Sequence, residues 1–316
     1  MQIYRELADV PDAAAAGRVV AIGVFDGVHR GHQRILGEAV KAGRETGATV
    51  TAVTFQPHPE AVLRPKPAPR LLTSLDRKAE LIAALGVDEL LVVKFDRDFA
   101  KLTPGDFCTR ILSDHLGART VLVGENFRFG HLGAGTAADL REYGRSHGFA
   151  VKSIPLAEED GETISSTRIR TLVGAGHVSE AGALLGRPHR IEGIIVHGAG
   201  RGRTLEAPTA NLAVEAETAV PKSGVYVTRS LIEGGRLHPS VTSVGTNPTF
   251  EVDHKIRIET LFLDEGEDVY GRKVALDFLD HIRGQETFKD AETLAAQIKK
   301  DVAIARAYLE ARSDLI

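Results

Sequence analysis

The sequence predicts an α/β domain built on a parallel sheet, followed by a small antiparallel β-barrel with a C-terminal helix. Three observations carry this. Residues 18–155 alternate short β-rich runs with stretches of helical spacing, the pattern of a parallel sheet covered by helices. From 187 to about 278, β-type runs separated by glycine-rich turns take over, the pattern of a compact barrel. The chain has 316 residues, and roughly 100 to 200 per domain is usual, so two domains are expected.

The elements follow in order. Strands are expected over 19–25, 49–55, 89–95, 120–124 and 150–154. Ile35, Leu36, Ala39 and Val40 recur at helical spacing, placing a helix directly after the turn at 26–32. Thr73, with Asp76 three residues on, reads as the cap of a second helix, and Gly86 after Leu85 as its stop. Thr103-Pro104 opens another helix, which Gly117 ends. After Ser166 two short helical segments reach Leu185, and Gly186-Arg187-Pro188 then interrupts, so the boundary is set at 186, giving domains 1–186 and 187–316. Barrel strands are expected over 191–197, 224–232, 240–244, 257–263 and 273–279. Residues 291–309 close the chain as an amphipathic helix with Leu294, Ile298, Val302, Ala305 and Leu309 on its core face.

Composition narrows the function. Hydrophobic residues at 43% and charged residues at 26% match globular usage and exclude disorder as the main state. Lys+Arg 39 against Asp+Glu 43 leaves −4, too balanced for a protein that neutralises a nucleic-acid backbone. The single cysteine, Cys108, has no partner for an internal disulfide and reads as a small buried hydrophobe. The longest apolar run, over 19–25, falls far short of the ~20 residues a bilayer helix needs, so no membrane is expected. The start Met1-Gln2-Ile3-Tyr4-Arg5-Glu6 lacks the form of a secretory signal, and a cytoplasmic location is expected.

The first chemical constellation is Gly23-Val24-Phe25-Asp26-Gly27-Val28-His29-Arg30-Gly31-His32, where a buried strand turns into a helix. Parallel α/β sheets bind ligands beyond such strand ends. Gly27 and Gly31 permit close backbone approach, the helix start offers unpaired N–H groups, and two imidazoles can donate to phosphate oxygens. The pattern suits a nucleoside triphosphate, whose reaction at phosphorus is catalysed by positioned donors. Taken from spacing alone, two structural histidines, a His-x-x-His metal pair or half of an acid–base device stay open. A zinc site lacks a third ligand at convincing spacing, and a Gly-x-Ser-x-Gly elbow is absent.

Gly-x-Phe-Asp-Gly-x-His-x-Gly-His resembles the signature of the adenylyltransferase superfamily, in the version found in prokaryotic FAD synthetases. Phe55-Gln56-Pro57-His58-Pro59, the run from Val123 to Gly130, and Ile164-Ser165-Ser166-Thr167-Arg168-Ile169-Arg170 resemble that family's remaining motifs in its order. The resemblance implies a Rossmann-like nucleotidyltransferase domain that joins FMN to the AMP moiety of ATP, releasing pyrophosphate and giving FAD with Mg²⁺. It implies that His29 and His32 hold the triphosphate and that Asn126 orients a substrate phosphate or ribose. Ser165, Ser166, Thr167 and Arg170 would meet phosphates, and Gly23, Phe25, Asp26, Gly27 and Gly31 would shape the nucleotide loop. Phe55, Pro57 and His58 would border the cofactor, with Phe55, Pro57 and Pro59 as an apolar wall for a ring. On pattern alone, Phe55, Phe127 and Phe129 are equally well core residues.

The second constellation, residues 193–211, is a strand followed by a glycine-rich loop of the kind that wraps phosphates. Gly198, Gly202-Arg203, Pro208-Thr209-Ala210-Asn211 and the run from Ser243 to Phe250 resemble the riboflavin kinase module of bifunctional FAD synthetases. The resemblance implies transfer of the γ-phosphoryl of ATP to riboflavin, giving FMN. Gly198, Gly202 and Arg203 would contact the nucleotide, Thr209 and Asn211 would be Mg²⁺ and phosphate ligands, and Glu259 the base. Riboflavin, FMN, FAD and ATP are then the partners, and an oligomer is compatible with them. One departure stands out: Leu205-Glu206-Ala207-Pro208 occupies the place of the family's Leu-Gly-Phe-Pro. It adds a negative charge and removes a packing surface beside a phosphate loop, which predicts weakened kinase activity. An FAD synthetase with an impaired kinase, or a barrel that only binds flavin, is the alternative.

Overall fold

Every residue of the strand Arg18–Ile22 is buried, as expected for the middle of a parallel sheet covered on both faces. In the computed structural model, residues 1–13, 15–64, 67–196, 209–246, 256–264 and 269–312 are described. They divide into two units, one of Met1–Pro69 with Thr73–Ser166 and one of Arg70–Leu72 with Thr167–Ile316.

The first unit runs β1 (Gln2–Tyr4), β2 (Arg18–Ile22), α1 (Arg30–Thr46), β3 (Thr49–Gln56), α2 (Pro59–Leu63), α3 (Leu75–Ala84), β4 (Glu89–Lys94), α4 (Pro104–Asp106) and β5 (Ala118–Gly124). A two-residue hairpin, β6 (Arg128–Phe129) and β7 (Gly135–Thr136), precedes α5 (Ala137–His147), β8 (Ala150–Ile154) and a second small hairpin, β9 (Glu158–Glu159) and β10 (Glu162–Thr163). The main sheet has the order β1-β4-β3-β2-β5-β8, and its pairs are parallel. Its two faces carry separate cores, one around Leu36, Ala39, Ile82 and Leu90, the other around Leu91, Phe107, Leu112, Val121 and Leu140.

Three differences from the sequence reading have local causes. β1 was not expected, because three half-exposed residues give no periodic signal. The cap of α3 is Ser74, whose hydroxyl accepts from the Arg77 N–H at 3.1 Å, and not Thr73, whose hydroxyl is engaged elsewhere. The helix opened by Thr103 runs only through α4 before passing into a π-helical stretch, Phe107–His115, and Gly117 in the left-handed region follows it. Cys108 lies fully buried in that stretch, and burial pushes its thiol up to about 12.

The second unit contains α6 (Ser166–Ala175) from Thr167 onward, α7 (Val178–Leu185), β11 (His189–Val196), β12 (Thr209–Ala213), β13 (Gly224–Ile232), β14 (Leu237–Thr246), β15 (Ile256–Phe262), β16 (Lys273–Arg283) and α8 (Ala291–Glu310). Packing thus divides the chain at Ser166, ahead of the turn at Gly186 where the sequence pattern changes. The six strands close into an antiparallel barrel in the order β11-β12-β15-β14-β13-β16. β12 was expected as part of a loop. Alternation along the strands sends Ala210, Leu212, Tyr226, Ile258 and Phe278 to one cluster and Val225, Val227, Val241 and Leu279 to another, which Ala305 and Leu309 of α8 complete. Among the described residues no helix is long and apolar enough to cross a membrane.

Candidate active sites

Strand order decides where the first unit can hold a ligand. From β2 the chain steps outward through β3 and β4, then returns to the other side of β2 with β5, so the switch point lies between β2 and β5. Ligands of open parallel sheets bind beyond the carboxyl ends of the strands at such a point. The chain leaves β2 into the loop carrying Asp26, His29 and His32, and leaves β5 into Glu125 and Asn126. Two segments 100 residues apart in sequence are thereby set at one end of neighbouring strands.

His29 is the N-cap of α1, and its Nδ1 accepts from the His32 backbone N–H at 3.4 Å. That bond puts the proton of a neutral His29 ring on Nε2, leaving Nε2 as a donor. The rings of His29 and His32 are stacked, 3.6 Å between centroids and 19° from parallel, and Phe25 meets His32 edge-on at 5.3 Å. Gly31 permits the stack, because a Cβ there would come within 3.2 Å of the His29 ring. His32 Nδ1 is buried and has no hydrogen-bond partner. Burial, then the neighbouring charges of His29 and Lys78, hold the His32 pKa well below the usual imidazole value, so the ring is neutral at pH 7.

The loop itself is tied from outside the motif. Asp26 is buried, with its Oδ1 accepting from the Thr73 N–H (3.3 Å) and hydroxyl (3.5 Å), and the Gly27 N–H donates to Thr73 Oγ1 at 3.1 Å. Lys78 is also buried and donates from Nζ to the Val24 carbonyl at 2.9 Å. Ser166 Oγ donates to the Asp26 carbonyl at 2.9 Å. Lys78 escaped the sequence reading, and Thr73 entered it only as a helix cap. The available signal was a lysine on the same helix face as Leu75, Ala79 and Ile82, a position that patterning assigns to core.

The remaining expected residues fall as follows. Asn126 is exposed at the end of β5, and Gly124 leaves room for it, since a Cβ there would sit 3.2 Å from Asn126 Oδ1. Phe25 and Phe55 turn their rings into the core, Phe55 against Phe95 and Phe99, so a wall facing a ligand is left to the exposed Pro57. His58 caps α2, its Nδ1 accepting from the Glu60 N–H at 3.2 Å. Phe127 and Phe129 stack on each other in the core, with Arg128 exposed between them. Gly23 lies against the Phe25 ring. Ser165 is half-buried and Thr167 exposed. Arg170 belongs to the second unit, where its Nε donates to the Arg70 carbonyl at 2.7 Å.

In the barrel, Ala210 and Leu212 point inward, which turns Thr209 and Asn211 to the outer surface. Across the ladder Asn211 pairs in register with Glu259, and Glu259 pairs on its other side with Ser243. Arg257 Nε lies 3.2 Å from both Asn211 Oδ1 and Glu259 Oε1. Gln285 Nε2 donates to Ser243 Oγ at 2.9 Å. The outer face thus gathers a hydroxyl, an amide and a carboxylate within two neighbouring strands. Gly198, Gly202, Arg203, the Glu206-Ala207 departure and residues 247–250 lie outside the described residues. Among the described residues no three His, Cys, Asp or Glu side chains are placed to hold a metal ion.

Two families match the chain in succession. Residues 12–168 match the FAD synthetase family, and residues 185–309 match riboflavin kinase. The chain is 36% identical over 308 residues to the bifunctional riboflavin kinase/FMN adenylyltransferase of Escherichia coli (strain K12), covering 98% of each chain. It is 38% identical over 291 residues to the protein of the same name from Pseudomonas fluorescens, covering 92% of this chain and 93% of that one. A crystal structure from Streptococcus pneumoniae, described as a macrolide-efflux protein, superposes with a TM-score of 0.87 at 33% identity, covering 96% of this chain and 98% of that one.

Proposed function

Because the chain belongs to the family of bifunctional riboflavin kinases/FMN adenylyltransferases, we propose that its two activities use the two sites above. The protein is a transferase of phosphorus-containing groups: it phosphorylates riboflavin with ATP to FMN, and it joins FMN to the AMP moiety of ATP to give FAD and pyrophosphate. We assign adenylylation to residues 1–186 and riboflavin phosphorylation to residues 187–316.

The stacked His29–His32 pair at the switch point carries the assignment of the first site. An FMN phosphate oxygen attacks the α-phosphorus of ATP, the bond to the β-phosphate oxygen breaks, and pyrophosphate leaves. Negative charge grows on the nonbridging oxygens around phosphorus, and in this reading His29 and the N–H groups at the start of α1 donate to it. Neutral His32 supplies a further ring donor without the cost of a buried cation. Within the same unit, Asn126 orients a phosphate or ribose, and Ser165 and Ser166 bind phosphate.

At the second site, Glu259 accepts the proton of the riboflavin hydroxyl as it attacks the γ-phosphorus. Thr209 Oγ1 and Asn211 Oδ1 are hard oxygen donors on one face of β12, which fits Mg²⁺ once Arg257 moves from Asn211. Mg²⁺ bound there would neutralise charge on the ATP phosphates. Gly198, Gly202 and Arg203 complete the nucleotide loop in this reading. Its setting is the cytoplasm, with small-molecule partners and no nucleic acid.

Reactions started in parallel from riboflavin and from FMN, each with ATP and Mg²⁺ and resolved by chromatography, test both assignments. Riboflavin should yield FMN and then FAD, and FMN should yield FAD and pyrophosphate. FMN that gives no FAD would overturn the first assignment, and riboflavin that gives no FMN the second. Near-full-length relatives named as bifunctional favour an active kinase over the weakened one expected from Glu206 and Ala207.

A further inference from the structure

We propose that Lys78 and Thr73 are positioning residues of adenylyl transfer: they clamp the loop from Gly23 to His29 and thereby fix the His29–His32 pair against the α-phosphate. The proposal rests on the adenylyltransferase reading of this site.

The loop is held in a conformation that its own residues disfavour. Phe25 has φ 51°, Gly27 φ 80° and Val28 φ 39°. Glycine takes the left-handed region freely, but Phe and above all β-branched Val do not. Such residues are disfavoured and persist only where the surroundings over-determine them. The surroundings here are specific side chains. Lys78 Nζ and Thr54 Oγ1 both donate to the Val24 carbonyl, each at 2.9 Å, just before the first left-handed residue. Thr73 then holds the next two positions: its N–H and hydroxyl face Asp26 Oδ1 at 3.3 and 3.5 Å, and its Oγ1 accepts from the Gly27 N–H at 3.1 Å. The tied residues 24, 26 and 27 lead directly through strained Val28 into His29.

Lys78 is hard to explain otherwise. It is 5% exposed on a helix face shared with Leu75, Ala79 and Ile82, where an apolar side chain would pack with no desolvation penalty. Buried lysine is rare unless paired, and the charge that opposes its burial is Asp26, the residue Thr73 also holds. Thr73 thus binds the Asp26 carboxylate directly, and the same carboxylate acts electrostatically on Lys78, whose Nζ holds the Val24 carbonyl. The ammonium also contributes to keeping the His32 ring neutral.

Thr73 uses its hydroxyl as donor and acceptor at once, so serine preserves both bonds and isosteric valine preserves neither. Full-length Lys78→Met, Thr73→Val and Thr73→Ser are compared for FAD formation from FMN and ATP with Mg²⁺, and for riboflavin phosphorylation by the same preparations. Lys78→Met and Thr73→Val should lower kcat for FAD formation by about 10- to 100-fold while KM for ATP and FMN stays within about threefold. Thr73→Ser should stay within about threefold of the parent in kcat, and kinase turnover should be unchanged in all three. Wild-type kcat in both Lys78→Met and Thr73→Val, an equal loss in Thr73→Ser and Thr73→Val, or a loss confined to KM would overturn the proposal. If Lys78→Met unfolds, as its melting curve and kinase rate would report, the Thr73 pair decides. A parent protein that makes no FAD from FMN sinks the adenylyltransferase reading instead, so the two failures are distinguishable.

Discussion

The imidazoles of His29 and His32 lie face to face, 3.6 Å between ring centroids, with His29 capping the helix that carries His32. Two rings this close resist double protonation, which suits the proposed role of the pair as N–H donors to phosphate. A His29→Ala, His32→Ala double variant should lose FAD formation from FMN by about 10²- to 10³-fold in kcat. Riboflavin phosphorylation, followed as FMN release, should persist in the same preparation.

The half-buried His32 ring also links stability to pH. Burial, His29 and Lys78 lower its folded-state pKa well below 6.5, whereas the unfolded chain binds the proton near that value. Above about pH 6.5 neither state is protonated and the full stability is present. As pH falls through that value the unfolded state takes up the proton first, so stability declines by up to about 1.4 kcal/mol per unit until the folded pKa is reached. Chemical denaturation between pH 7 and pH 5 should show a smaller loss for His32→Gln than for the parent.

Asn211 and Glu259 are register partners on the outer face of the barrel, joined through Arg257. Glu259→Gln keeps the shape and removes the carboxylate proposed as the base. It should reduce riboflavin phosphorylation by about 10²-fold or more while FAD formation from supplied FMN continues at the parental rate. Asn211→Ala should weaken the same step and raise the Mg²⁺ concentration needed for half-maximal rate.

Cys108 is fully buried, with its thiol pushed up to about 12. The thiolate is the reactive form, so iodoacetamide at pH 8 should label the folded protein far more slowly than the denatured chain, as read by mass spectrometry. Fast labelling of the native protein would show that the π-helical stretch opens readily.

Much of the architecture was legible because its signals are local. The run at 150–154 and the strand Gly224–Ile232 coincide with their elements in the structure, and α8 ends one residue past its expected limit, since burial on one face imposes a period that a linear reading detects. β1 and β12 were missed for the opposite reason: one has three residues, and the other follows a glycine-rich stretch that masks its alternation.

The sequence by itself determined the order of the two modules, the histidine motif and the residue types available for phosphoryl chemistry, because these depend on neighbours a few positions apart. Only the tertiary structure decided that the segments carrying Asn126 and the histidines leave neighbouring strands at the same end of the sheet, that Asn211 pairs in register with Glu259, and that Thr73 and Lys78 hold a loop some 50 residues upstream. Strand order, cross-strand register and the pairing of buried charges are contacts between distant segments. They are selected by which faces and polar groups satisfy one another when the chain packs, and no window of sequence contains both partners.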